Sequence, residues 1–161
     1  MIELTPAEVL SLVPHQEPMR FISDIAEMDE EHIIGSYTWK PDDCEGGCGG
    51  GLVVPNFKII EMAAQVGNVA WCIYHMARTV PAAEIKGLVG VITGIEHGAC
   101  RRLVNAGDKL ECIATLGDEG FFRGNKLMSE VVVRFAGGAN EGQEVFSGLI
   151  SGMWVPKMPF A

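Results

Sequence analysis

Four polar side chains stand out in an otherwise apolar stretch between residues 56 and 78: Glu61, Gln65, Asn68 and Cys72. Their spacing of i, i+4, i+7 and i+11 puts them on one face of a helix. Around them Phe57, Ile59, Ile60, Met62, Ala63, Ala64, Val66, Val69, Ala70, Trp71 and Ile73 cover nearly every other side. A helix apolar all round is buried, so the rest of the chain has to surround it. A carboxylate in such a helix needs a partner or a wet cleft. In a cleft its pKa is expected to rise toward the range useful for general acid-base work. Glu61 is therefore the first candidate for chemistry, with Gln65 and Asn68 lining the same cleft. A buried polar network or a subunit contact is the structural alternative.

Just before this helix, residues 41 to 51 contain five glycines and almost nothing that packs. The stretch reads as a loop, either a plain connection or a backbone kept bare so that amides approach a ligand. Gly49, Gly50 and Gly51, with Asn56 at the expected helix N-cap, are the candidate binding backbone. Cys44 and Cys48 could begin a metal site, but no second close pair follows, so two loop thiols and no metal are expected. No cofactor is implied.

The surrounding elements are legible from punctuation and alternation. Thr5-Pro6-Ala7-Glu8 is a capping box with proline at the first helical position, predicting a short helix over 5 to 13. Arg20 to Met28 and His32 to Trp39 read as a hairpin across Asp29-Glu30-Glu31. Four strands are expected after the helix: Leu88 to Glu96, Lys109 to Leu116, Phe121 to Phe135 and Glu144 to Trp154. Two strands, a buried helix and four strands is the order of a hotdog fold. This is an α+β class in which a curved antiparallel sheet wraps one long helix, here expected as a single domain over residues 1 to 161.

Composition narrows the partners. Hydrophobic residues are 48% of the chain and the formal charge is -9, which argues against nucleic acid, since phosphates are held chiefly by Lys and Arg. No apolar run approaches the roughly 20 residues of a membrane span, and an odd count of five cysteines suits a reducing compartment. A cytoplasmic setting is expected.

Leu12-Val13-Pro14-His15-Gln16-Glu17-Pro18-Met19 resembles the amino-terminal L-x-P-H-x-x-P-[FM] signature of the beta-hydroxyacyl-acyl-carrier-protein dehydratases. Pro55 through Gln65 resembles that family's helix start, with its E-x-x-A-Q run. Gly94-Ile95-Glu96 and the later Arg101-Arg102-Leu103-Val104-Asn105-Ala106-Gly107-Asp108 resemble its strand pair. A branch associated with aryl-polyene lipid biosynthesis is similar too. The resemblance implies a homodimer or a trimer of dimers, acting on a 3-hydroxyacyl group carried by acyl carrier protein or coenzyme A and eliminating water. In the family a helix acid, here Glu61, assists departure of the hydroxyl, and a loop histidine removes the proton next to the carbonyl. Counting back from Pro55 puts Gly47 at that histidine's place. His15, mostly structural in the family, is the candidate substitute base. His75 and His97 read as ordinary polar residues. Two other functions stay open: a non-catalytic acyl-binding or scaffold subunit, and an acyl thioesterase.

Overall fold

A computed structural model describes residues 3–45 and 52–158 of the chain. Helix α1 (Pro6–Leu12) begins at Thr5, whose side chain accepts from the Glu8 N–H while Glu8 reaches back to the Thr5 N–H, the reciprocal capping expected from the sequence. Strands β1 (Asp24–Met28) and β2 (His32–Thr38) form the hairpin. The long helix follows as α2 (Asn56–Ala64), a π-helical segment (Gln65–Ala70) and α3 (Trp71–Ala77) without interruption. After a short α4 (Ala82–Ile85) come β3 (Leu88–Cys100), β4 (Lys109–Thr115), β5 (Phe121–Arg123), β6 (Lys126–Phe135) and β7 (Glu144–Pro156).

The strands make one antiparallel sheet in the order β1-β2-β4-β6-β7-β3, with β5 paired to β6. Its concave face packs on the long helix through β2, β4, β6, β7 and β3. Ile59, Met62, Ala63, Val66, Trp71 and Ile73 are fully buried there, against Ile33, Leu110, Val133 and Ile150. The close approach has a visible cause at Gly67. A Cβ there would stand 2.9 Å from the Ser129 hydroxyl and from Val131, so only glycine lets the helix sit this near the sheet.

Three expectations are corrected. The residue capping the long helix is Pro55, and Asn56 is its first helical residue, with no side-chain cap. The expected strand over Phe121 to Phe135 is broken at Gly124-Asn125, a two-residue hairpin turn with Gly124 at φ 63°. The π-helical segment was not expected at all. Its wider turns interrupt the 3.6-residue period, so the polar stripe does not continue to Cys72, which is fully buried with its thiol pushed up to about 12 by loss of water.

His75, near the end of α3, is buried in a ring cluster, stacked on Phe122 at 4.8 Å and beside Trp71 and Tyr74. Burial, then the nearby Arg78 charge, hold its pKa below the ordinary value, while Glu30 opposes. The folded state thus keeps His75 neutral while the unfolded chain takes up a proton below about pH 6.5. Stability contributed by this site is therefore lost as pH falls through that value. His32 is shifted upward by Glu27 and works in the opposite sense. Chemical denaturation of wild type and His75→Leu between pH 8 and 5 isolates the contribution of this histidine: the variant should lose less stability than wild type across that range.

Candidate functional site

The chain leaving α1 turns at Val13-Pro14 and brings His15 over the first turns of the long helix. Arg20 pins this segment by donating from Nη2 to the Leu10 carbonyl at 2.9 Å. Gln65, the first residue of the π-helical segment, locks it from the other side. Its Oε1 accepts from the Phe21 N–H at 2.7 Å, and its Nε2 donates to the Met19 carbonyl at 2.7 Å and to Glu61 Oε1 at 3.0 Å. Gln65 is fully buried and does not line the cleft; it clamps helix to segment and presents an N–H to the carboxylate.

His15 Nε2 lies 3.1 Å from the same Glu61 Oε1. A carboxylate only accepts, so this nitrogen carries the proton. His15 Nδ1 is buried and has no partner among the described residues. The Glu61 side chain keeps 23% of its surface exposed, and the cleft it opens on has a volume of about 230 Å³. Ala64, Asn68 and Val69 continue its helix wall; Gly90, Val91 and Ile92 of β3 and Gly152 and Met153 of β7 form the other. The two glycines let strand and helix meet, since a Cβ at Gly152 would stand 3.1 Å from Asn68 Cβ and one at Gly90 3.3 Å from Val69.

The expected rise in the Glu61 pKa is overturned. The His15 hydrogen bond holds the carboxyl below its ordinary value; burial pushes the other way, and Gln65 and the His15 charge add to the lowering. Glu61 is a carboxylate at neutral pH, because two N–H donors on one oxygen outweigh partial desolvation.

Asn68, almost fully buried, lines the cleft while donating from Nδ2 to the carbonyls of Leu127 (3.0 Å) and Ile150 (2.9 Å). Asn56 is an exposed residue at the start of α2 and is not brought to the cleft wall. Gly49, Gly50 and Gly51, with Gly47 and Cys48, lie outside the described residues; Cys44 is buried on the short turn Pro41–Cys44. His97 is exposed and sits at a bulge in β3 with φ 55°. Sequence reasoning missed the β3 and β7 wall, though glycines inside otherwise apolar strands signal close backbone approach.

A helix held inside a curved antiparallel sheet, with one carboxylate opening on a cleft between helix and edge strand, defines a hotdog-fold protein. The chain is 32% identical over 110 residues to the 3-hydroxyacyl-[acyl-carrier-protein] dehydratase FabZ of Acetivibrio thermocellus, covering 66% of this chain and 70% of that one. It is 29% identical over 142 residues to the FabZ of Lawsonia intracellularis, covering 80% and 89%. The chain belongs to the FabZ dehydratase family. No family model matches it. Among solved structures, the Dehydratase Heterocomplex ApeI:P from Xenorhabdus doucetiae superposes with TM-score 0.71 at 18% identity, covering 96% of this chain and 93% of that one. A thioesterase from Haemophilus influenzae superposes with TM-score 0.52 at 16% identity, covering 83% and 78%. Both show the hotdog fold. No helix among the described residues is long and apolar enough to cross a membrane.

Replacing His15 with Ala removes the larger of the two donors to Glu61, so the Glu61 carboxyl should titrate at a higher pH than in wild type. Carbon-detected NMR of the side-chain carboxyl measures this; an unmoved titration means that His15 does not hold the charge.

Proposed function

We propose that the protein is a 3-hydroxyacyl-thioester dehydratase in which Glu61 is both base and acid, supported by His15. The observation that carries this reading is the ionised Glu61: one oxygen held by two N–H donors, the side chain partly open to an apolar cleft. The second oxygen takes the proton from C2 of the acyl group, and the electron pair delocalises toward the thioester carbonyl. In this mechanism the positive end of the long helix, which begins five positions before Glu61, would favour that developing charge. The pair then forms the C2=C3 bond as the C3–O bond breaks. The leaving oxygen collects the proton from the Glu61 carboxyl and departs as water, regenerating the carboxylate. Donors that lower the Glu61 pKa make its protonated form the stronger acid, which suits this second half.

On this reading the family's helix acid also does the work of the loop histidine, and His15 keeps it charged between turnovers. The acyl group comes on acyl carrier protein or coenzyme A, in the cytoplasm. Incubation with 3-hydroxyacyl carrier protein should give the 2-enoyl product, and Glu61→Gln should cost at least about 10²-fold in rate. Turnover that survives Glu61→Gln unchanged overturns the assignment. An ionised carboxylate can also take a proton from water, which favours thioester hydrolysis as the second reading; free acid plus thiol as products would select it. Tight acyl binding without any turnover would instead select the scaffold role that Gly47 suggests.

The reading includes a homodimer. Among the described strands β3 is one of the two edges of the sheet, 13 residues long, and Val91, Ile92 and Ile95 on it are 41%, 41% and 44% exposed. A long apolar edge is a template for pairing with another strand, here a second copy. Ile95→Lys should shift the mass in light scattering from dimer toward monomer and reduce activity with it.

A further inference from the structure

Asn68 carries a polar atom that the chemistry at Glu61 does not use. Both Nδ2 hydrogens are spent on backbone carbonyls, those of Leu127 and Ile150, and this fixes which end of the amide is oxygen. Turning the amide over would set its oxygen against two carbonyl oxygens. Oδ1 is buried and has no hydrogen-bond partner among the described residues. Leaving a buried acceptor unpaired is costlier than placing a well-packed apolar side chain there. The residue also sits within the π-helical segment Gln65–Ala70, a departure from regular helix often found at functional positions. Its place is on the wall of the same cleft as Glu61, among Val69, Val91 and Met153. Seven residues separate Glu61 from Asn68, so Asn68 stands roughly 10 Å farther along the helix.

We infer that Asn68 reads a hydrogen-bond donor on the acyl tail: the cleft prefers an acyl group bearing a hydroxyl about 10 Å from the reacting carbons over a plain alkyl chain. The inference rests on the cleft of Glu61 being the acyl site. A saturated tail leaves Oδ1 unpaired, whereas a hydroxyl at that depth supplies the missing donor inside an apolar wall, where such a bond discriminates strongly. Oδ1 is almost out of reach of solvent, so the tail has to displace part of the wall to meet it. Met153, unbranched and only partly buried, is the wall residue best able to yield.

Binding tests this independently of turnover. Unreactive acyl-pantetheine thioethers are titrated against the full chain as alkyl, hydroxylated and methyl-ether tails of matched length, with the oxygen stepped carbon by carbon along the tail. The expected result is a hydroxyl preference of about tenfold at one position, the size of one hydrogen bond, absent for the ether and absent in Asn68→Leu. Equal binding of all tails at every position overturns the inference, as does a preference that survives in Asn68→Leu. If Asn68→Leu does not fold, the position dependence and the ether comparison in wild type decide by themselves. A positional preference without dehydration keeps this inference and removes the dehydratase reading; dehydration without the preference does the reverse. Failure of every analogue to bind removes the acyl site and this inference with it.

Discussion

The constraint on which the structure turns is the partial burial of one carboxylate in a helix that has to be surrounded by apolar side chains. Left to itself, Glu61 would be expelled toward water or protonated. It is instead held on one oxygen by His15 and Gln65, and each donor is fixed by structure outside the helix. Gln65 is pinned to the backbone at Met19 and Phe21, and that segment is tied to α1 by Arg20. This gives the short N-terminal helix a reason. Its end at Val13-Pro14 sets where the chain leaves α1 and hence where His15 arrives.

The π-helical segment serves the same end. Gln65 has to face the segment at 19–21 while Asn68 reaches between β6 and β7, and Gly67 between them has to touch the sheet. In a regular helix these three directions would be set by 100° steps, whereas the wider turns redistribute them. The cost is the continuity of the polar stripe, and Cys72 falls into the core. Glycines at 90 and 152 complete the arrangement from the strand side, because the cleft exists only where β3 and β7 approach without side chains in the way.

The fold was legible because its signals are periodic and long-range. A helix apolar on all sides can only be central, and alternation with glycine punctuation marks strands on either side of it. The polar residues Glu61, Gln65 and Asn68 were also legible, as exceptions in that helix. What the pattern could not carry is anything decided by a partner distant in sequence. Whether the Glu61 pKa rises or falls depends on His15, 46 positions away by the numbering, and a reading limited to burial has the sign reversed. Gln65 looked like a cleft residue because spacing reveals a face without revealing that the face is covered by 19–21. The Gly124-Asn125 turn was missed for a simpler reason: apolar residues on both sides made two strands read as one.

The departure from the family pattern can be weighed in the same terms. With Gly47 aligned to the loop histidine, a mechanism of two separate groups loses its base, yet the elimination needs only that one proton leave C2 and one reach the departing oxygen. A single carboxylate can perform both if it is charged before the first transfer and acidic enough for the second. The donors on Glu61 favour both conditions, at the expense of its strength as a base toward carbon. In the proposed mechanism the burden then shifts to stabilising the enolate, a developing charge of the kind that the positive end of a helix favours. A raised pKa would have improved the first transfer and hindered the second. The lowered one helps the second transfer, and in the proposed mechanism carbonyl polarisation has to compensate for the weaker base in the first.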